Sequence, residues 1–253
     1  MEEIGDMKIL ALDSSGLVAS VALIEDDTLV AEYTMNYKKT HSQTLLPMLD
    51  EIVKMTELDL ASIDAIAVAG GPGSFTGLRI GSATAKGLGL ALGKPLIHIP
   101  TVDALACNLW GTASLVCPIM DARRNQVYTG IYTFREGKLV VLESQMAVGI
   151  EELTERLKKY EGTVIFLGDG VPVHREKLEK DLLAGWDILF APPHMSHQRA
   201  ASVGALGIQY YKEGKTETAA EHKPDYLRLS QAERERAERE RAEKEGAGKE
   251  PAC

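Results

Sequence analysis

The sequence predicts an α/β protein whose two halves share one order of elements. In each half, three short apolar or alternating runs, typical of strands, precede an amphipathic helix and a further apolar strand. The first strand of each half ends in an aspartate, Asp13 or Asp121, and the fourth runs into glycines. Because the similarity lies in the order of elements, we expect a duplicated βββαβα fold with two lobes, residues 1–100 and 101–229.

The first half is predicted to hold five strands and two helices. The expected strands are residues 8–13, 18–24, 29–35, 64–69 and 95–99. Apolar residues at helical spacing predict an amphipathic helix over residues 40–58, between the third and fourth strands. A second helix is expected between the fourth and fifth strands.

The stretch 70–93 is unusual because it combines a glycine turn with a helix rich in small residues. Glycines break the strand at 70–73, and Ser74 or Thr76 can cap the helix that follows. Glycine inside a helix costs about 1 kcal/mol relative to alanine, so these residues indicate close packing or a partner interface. The alternative is an anion site at the helix N-terminus. The stretch matches neither the P-loop nor the dinucleotide-binding motif.

The second half has the same order of elements with little residue identity. Its expected strands are residues 115–120, 126–134, 139–148, 164–167 and 188–190, and its helices are residues 150–160, 175–183 and 199–211. The strand at 164–167 runs into Gly168, Asp169 and Gly170, the counterpart of the first glycine turn.

Composition limits the classes of function. The 253 residues carry a net charge of −9, which argues against broad, non-specific nucleic-acid binding. The 3 cysteines lack C-x-x-C spacing and do not predict a disulfide framework. The acidic N-terminus and the lack of a long apolar run predict a cytosolic protein with no membrane segment. The tail, residues 230–253, lacks an apolar face and is expected to be a solvent-exposed helix or disordered.

Two lobes of this kind resemble the duplicated RNase H-like fold of actin, Hsp70 chaperones and sugar kinases. In that fold, acidic residues and glycine turns face a cleft that holds nucleotide and a hard metal ion such as Mg²⁺. Here the candidate phosphate or nucleotide cleft consists of Asp13, Ser14, Ser15, Gly71, Gly73, Ser74 and Asp121. Two alternatives stay open: Asp13 can cap its own turn, and Asp121 can form a surface ion pair with Arg123 or Arg124.

The sequence offers no residue with the surroundings of a nucleophile or a metal site. No serine lies in a G-x-S-x-G turn, and Cys107 and Cys117 lie in apolar runs that suit inert, buried thiols. His194 and His197 are three residues apart but have no third ligand nearby in the sequence. We therefore assign no catalytic residue and no metal.

Five segments carry a resemblance to a known family. They are ILALDSS (9–15), THSQTLLP (40–47), GGPGSFTGLRIG (70–81), DARRNQVY (121–128) and PDYLR (224–228). Together they resemble the TsaB (YeaZ) family of tRNA threonylcarbamoyladenosine biosynthesis proteins over about residues 7–229, and the third segment is the most specific. The resemblance implies an accessory subunit of the bacterial complex that modifies the adenosine next to the anticodon of tRNAs reading codons that start with A.

In that family a paralogue, TsaD, performs the transfer and holds its metal through an H-x-x-x-H motif. The equivalent helix of this chain has His41 but a leucine four residues later, so the resemblance implies a non-catalytic subunit. It also implies a heterodimer with a TsaD-like paralogue, recruitment of a TsaE-like ATPase, a homodimer in isolation and tRNA contact only through the complex. We expect this chain to have no cofactor of its own. ATP or ADP with Mg²⁺ would bind at an interface shared with another subunit.

The resemblance further implies a partner surface on two first-lobe helices, residues 43–55 and 76–92. The residues assigned to it are Leu45, Leu46, Leu49, Gly77, Leu78, Ile80, Gly81, Thr84, Ala85 and Leu88. The alternative function is an ATP- and Mg-dependent phosphotransferase or a metal-dependent hydrolase. Asp13 and the glycine turns at 70–73 and 168–170 motivate that alternative.

Overall fold

The computed structural model describes residues 7–228 and contains two five-stranded sheets. The first sheet is formed by β1 (Lys8–Asp13), β2 (Ala19–Glu25), β3 (Thr28–Met35), β4 (Ala65–Gly71) and β5 (Leu96–Pro100). The second is formed by β6 (Leu115–Asp121), β7 (Gln126–Arg135), β8 (Lys138–Gly149), β9 (Val164–Leu167) and β10 (Ile188–Phe190). Every predicted strand is present, with similar ends. The tail at 230–253 lies outside the described residues.

The two sheets have the same topology. Read from the edge that holds the third strand of each half, the spatial orders are β3-β2-β1-β4-β5 and β8-β7-β6-β9-β10. In each sheet the first three strands pair antiparallel, and the last two are parallel to the first strand and to each other. This repetition confirms the duplicated, two-lobed α/β fold, and it places the ends of β1 and β6 in equivalent positions.

The described residues contain six α-helices. They are α1 (His41–Met55), α2 (Phe75–Leu92), α3 (Thr101–Ala106), α4 (Ile150–Leu157), α5 (Val171–Lys177) and α6 (Ala200–Lys212). The sequence analysis missed α3, since a helix of 6 residues is too short to show a helical period. Ser74 is the N-cap of α2, with its hydroxyl accepting from Gly77 N. Within residues 7–228, no helix is both long and apolar enough to cross a bilayer.

Helices cover both faces of the first sheet. The apolar sides of α1 and α2 pack on one face, through residues such as Leu45, Met48 and Ala85. The other face is covered by α6, which comes from the second half of the sequence and contributes Val203 and Leu206. The chain therefore returns to the first lobe after β10, a path that the amphipathic pattern of the helix does not specify.

The short helix α3 lies between the two sheets. Val102 and Leu105 join the apolar cluster of β6 and β7, and Ala104 joins the cluster beneath α6. Asp103 on this helix accepts a hydrogen bond of 2.7 Å from the buried Tyr132 hydroxyl of β7. Helix α3 thus connects the lobes through both apolar packing and a buried polar contact.

After α6, residues 216–228 run back across both lobes, and we call this segment the C-terminal strap. Glu217 pairs with Leu96 of β5 through two backbone hydrogen bonds of 2.8 and 2.9 Å. Asp225 N donates to Gly70 O over 2.7 Å, and Gln145 of β8 donates to the Asp225 carboxylate over 3.2 Å. Arg228 donates to the carbonyl oxygen of Ala122 in the second lobe. The strap therefore joins the edge of the first sheet to the second lobe.

Two glycines of α2 differ in their surroundings and allow a matched test. A Cβ at Gly87 would meet nothing within 4 Å, whereas one at Gly77 would overlap the Ser14 carbonyl oxygen. We expect Gly87→Ala to raise the free energy of unfolding by about 0.5–1 kcal/mol through helix propensity. Gly77→Ala should lower it, because the β1–β2 turn must move. Urea denaturation of both variants checks this; a destabilised Gly87→Ala or a neutral Gly77→Ala would contradict it.

Candidate functional site in the cleft between the lobes

A cleft of about 1080 Å³ lies between the two lobes. Its first-lobe wall is formed by the turn after β1, residues 36–41 and the first turn of α2. Its second-lobe wall is formed by the end of β6 and Asp169, and residues 226–228 of the strap complete the lining. The turn after β1 and the end of β6 thus meet at one cavity, as the duplication predicts.

Asp13 ends β1 but does not line the cleft. Its side chain is buried, and Oδ1 accepts hydrogen bonds from Ser15 N at 2.9 Å and Ser15 Oγ at 2.6 Å. Burial raises the pKa of the carboxyl to about 6, against the opposing effects of the Ser15 hydrogen bonds and the nearby His41. The carboxylate therefore caps its own turn, which is one of the two roles left open by the sequence.

The β1–β2 turn and the start of α2 are in direct contact. Ser14 Oγ donates to Gly77 O over 2.8 Å, and Ser74 N donates to Ser15 O over 2.7 Å. A Cβ at Gly73 or Gly77 would overlap the carbonyl oxygens of this turn. The close-packing interpretation thus accounts for both glycines through contacts within the chain.

The glycine turn after β4 is packed against the strap. Gly71 has a φ of +125°, and a Cβ there would overlap the carbonyl oxygen of Asp225. Its N–H donates to Thr101 Oγ1 over 3.1 Å. Of the residues assigned to a phosphate or nucleotide cleft, Ser15, Gly73, Ser74 and Asp121 line the cavity, while Asp13, Ser14 and Gly71 lie behind its wall.

In the second lobe, Asp121 organises a tight turn at the cleft wall. Its Oδ1 accepts from Arg123 N over 2.8 Å, and its Oδ2 lies 3.2 Å from Arg123 Nη1. Arg123, Arg124 and Asn125 have consecutive positive φ values of 64°, 55° and 58°. Non-glycine residues rarely adopt this region, and no sequence signal predicted it. The ion pair is the alternative that the sequence analysis left open for Asp121.

A second carboxylate, Asp169, faces the same wall. Its Oδ1 accepts from the backbone N–H of Asp121 over 3.0 Å. Burial is the largest cause that raises the pKa of Asp169, and the charge of Asp121 adds to it.

His41, the first residue of α1, forms a hydrogen bond with the β1–β2 turn. Its Nε2–H donates to Gly16 O over 2.9 Å, and it lines the cleft. The residue four positions later, Leu45, is buried in the first-lobe core. Helix α1 therefore presents one imidazole to the cleft, where an H-x-x-x-H metal site would present two.

At the mouth of the cleft, aromatic and cationic side chains hold the strap. Arg79 lies 4.0 Å above the Phe75 ring, and its Nε donates to the Tyr226 hydroxyl over 3.3 Å. The rings of Phe75 and Tyr226 are 4.9 Å apart. The sequence analysis assigned no role to these residues, although segments 70–81 and 224–228 contain all three; no local pattern links positions so distant in the chain.

The residues assigned to a partner surface fall into two groups. Leu45, Leu49, Leu78 and Ala85 are buried side chains of the core, and Gly77 and Gly81 are covered by Ser14. Leu46 is 54% exposed, and Ile80, Thr84 and Leu88 are half-buried. Only the second group can offer side-chain atoms to another molecule without rearrangement of α1 and α2.

The repeated topology and the cleft between the lobes define the class: a duplicated, two-lobed α/β fold. The family model for TsaD, tRNA N6-adenosine threonylcarbamoyltransferase, matches residues 28–236. The chain is 35% identical over 227 residues to the tRNA threonylcarbamoyladenosine biosynthesis protein TsaB of Bacillus subtilis, covering 90% of this chain and 96% of that protein. It is 31% identical to TsaB of Escherichia coli, covering 89% and 96%.

A solved structure gives the same result. A Pseudomonas aeruginosa protein described as similar to peptidase YEAZ superposes with a TM-score of 0.75 and 26% identity, covering 88% of this chain and all 100% of that one. The chain belongs to the TsaB family of tRNA threonylcarbamoyladenosine biosynthesis proteins, as the five sequence segments indicated.

Substitution of Asp13 tests its role as a turn cap. Because its folded pKa of about 6 exceeds the ordinary value of 3.8, its contribution to stability is complete below pH 3.8 and is lost as the pH rises through 6. The loss is on the order of 3 kcal/mol. Asp13→Asn keeps the acceptor for Ser15 and removes the buried charge, so we expect it to match or exceed the native stability at pH 7.5 and to show less of this pH dependence.

Urea denaturation at pH 4.5 and 7.5 measures this difference. Asp13→Ala is the control, since it removes the acceptor and should destabilise the protein at both pH values. An Asp13→Asn protein that is less stable than the native chain at pH 7.5, with the pH dependence unchanged, would show that the negative charge itself is required.

Proposed function

We propose that this chain is the non-catalytic partner of a TsaD-like transferase in the bacterial complex that forms threonylcarbamoyladenosine. The modified base would be the adenosine next to the anticodon of tRNAs reading codons that begin with A. Membership of the TsaB family supports this step of tRNA modification. The role within the complex is inferred from the cleft and from one helix surface.

The turns in and behind the cleft wall support a non-catalytic role, because the groups that could bind a nucleotide already form hydrogen bonds within the chain. The N–H groups of Gly71, Ser74 and Gly77 donate to Thr101, Ser15 and the Ser74 hydroxyl. The carboxylate of Asp13, on which the phosphotransferase or hydrolase alternative depends, accepts from Ser15. We therefore propose that the chain has no nucleotide site of its own and that ATP or ADP with Mg²⁺ binds only at an interface shared with its partner.

The outer face of α2 is the observation that carries the partner role. Ala83, Gly87 and Leu90 are exposed on this face, beside the half-buried Ile80 and Thr84. Unlike Gly77, Gly87 has open space in front of its Cα, so packing within the chain does not explain it. A glycine in a helix interior is unfavourable by itself, and a flat surface of small residues permits close approach of another helix.

The one charged side chain in this part of α2 is bound to the strap rather than exposed on this face. Lys86 is the one charged residue between Ile80 and Leu92, and its Nζ donates to the strap at His222 O over 3.0 Å. We infer that this face of α2, with Leu46 of α1, binds the TsaD-like paralogue and forms a homodimer when the paralogue is absent. The TsaE-like ATPase and tRNA would then bind to the assembled complex.

An arginine on this face should block partner binding. Ala83→Arg places an unpaired charge at the proposed interface, and we expect the Kd for a TsaD-like transferase to rise at least tenfold, or about 1.4 kcal/mol. Ala205→Arg is the matched control, since Ala205 is exposed on α6, which packs on the opposite face of the first sheet. Calorimetric titration of the transferase into each variant measures the affinities.

The same pair of variants tests the homodimer. Sedimentation of the chain alone should show loss of self-association in Ala83→Arg and not in Ala205→Arg. Undiminished binding of the transferase by a folded Ala83→Arg protein would exclude this face of α2 as the interface.

A further inference from the structure

Three side chains of types that bind metals meet where the strap crosses β5. They are His98, Glu217 and His222, and one potential ligand atom of each lies within 4.8 Å of the other two. Within residues 7–228, this is the only cluster of three such residues. It is separate from the cleft, and none of its members was singled out by the sequence analysis.

Backbone pairing brings the three together. Glu217 and Leu96 form an antiparallel bridge, so their side chains share a face of the sheet. His98, two residues after Leu96 on β5, points to that same face. The backbone N–H of His222 donates to Thr218 O over 3.1 Å, and this turn returns the histidine to Glu217.

His222 has a buried nitrogen that the protein leaves unsatisfied. Its side chain is 0% exposed, and Nδ1 lies 2.6 Å from Glu217 Oε1. The other nitrogen, Nε2, is buried without a hydrogen-bond partner. An ion shared with Glu217 would bind Nδ1 in place of this hydrogen bond, because the lone pair of Nε2 points away from Glu217.

His98 is held beside this pair. Its ring lies 5.7 Å from the His222 ring, centroid to centroid, and fills the space where a side chain at Gly70 would project. Glu217 and Asp225 are the nearby acids, and Lys86 Nζ, bound to His222 O, is the nearby cation.

We propose that His98, Glu217 and His222 bind one zinc ion, which fastens the C-terminal strap to β5. Two imidazoles and a carboxylate are a common zinc ligand set, with water in the fourth position. Calcium and magnesium prefer sites made only of oxygen atoms. The ligand atoms would draw together to about 3.3 Å, the spacing set by Zn–N bonds of about 2.0 Å in a tetrahedron. Glu217, whose side chain is 27% exposed, provides the path from solvent.

Such an ion would act on the structure rather than on a reaction. The strap carries Tyr226 to the mouth of the cleft and Arg228 to the second lobe. Zinc at its start would therefore reduce the freedom of the segment that completes the cleft lining. Because a ligand that binds only the folded state stabilises it, zinc should raise the Tm of the chain.

The experiment uses the full chain without an affinity tag, freed of metal by a chelator and then titrated with zinc chloride. Calorimetry should show one zinc ion bound per chain, and the Tm should rise with zinc. His98→Gln and Glu217→Gln are the test variants, because both positions are partly exposed and glutamine keeps a polar group at each. We expect each variant to weaken zinc binding at least tenfold while keeping the metal-free Tm close to that of the native chain.

His194→Ala is the matched control, since it removes a histidine outside the cluster and should leave zinc affinity unchanged. Absence of saturable zinc binding by the native chain would overturn the proposal. Equal zinc affinity in the native chain and His98→Gln would overturn it as well, and loss of binding only in His194→Ala would move the site to the segment around His194. Hydrogen exchange of residues 216–228 should slow with zinc in the native chain and in His194→Ala, but not in His98→Gln or Glu217→Gln.

Discussion

The close approach of the β1–β2 turn to the first turn of α2 is the contact on which the rest of the first lobe depends. Ser14 Oγ donates to Gly77 O, and Ser74 N donates to Ser15 O. These bonds form only because Gly73 and Gly77 have no side chains in the space between. They fix the cleft wall, engage the N–H of Ser74, and leave the outer face of α2 free for another molecule.

The strap extends this arrangement to the second lobe. It pairs with β5, passes over Gly71, stacks Tyr226 on Phe75 and contacts the second lobe at Gln145 and Ala122. Helix α6 brings the chain back to the first sheet before the strap begins. The lobes are therefore joined by α3, by α6 and by the strap.

The order of elements was predictable because strand and helix periods are local properties of the sequence. Non-local contacts were not predictable. The family resemblance assigned Leu45, Leu49 and Ala85 to a partner surface, but a helical period does not say that all three side chains lie in the core. Likewise, the spacing of small residues does not reveal which glycines are covered. Ser14 fills the space beside Gly77, whereas the space beside Gly87 is open.

The chemistry of the candidate site could not be predicted from the local sequence either. Asp13 at a strand end and a following glycine turn are compatible with a nucleotide site or with internal packing, and only the hydrogen bonds from Ser15 distinguish them. The three left-handed residues after Ala122 form a local turn around Asp121 that no recognised motif predicted. The meeting of His98 with His222 depends on a tertiary contact that no local motif contains.

The most direct test of the account is a calorimetric titration of Mg-ATP into the purified chain, repeated with a TsaD-like transferase present. If the chain is a partner without a nucleotide site of its own, Mg-ATP should give no binding heat with the chain alone and saturable binding with the pair. Saturable binding and turnover by the chain alone would contradict the account and make the cleft an active site.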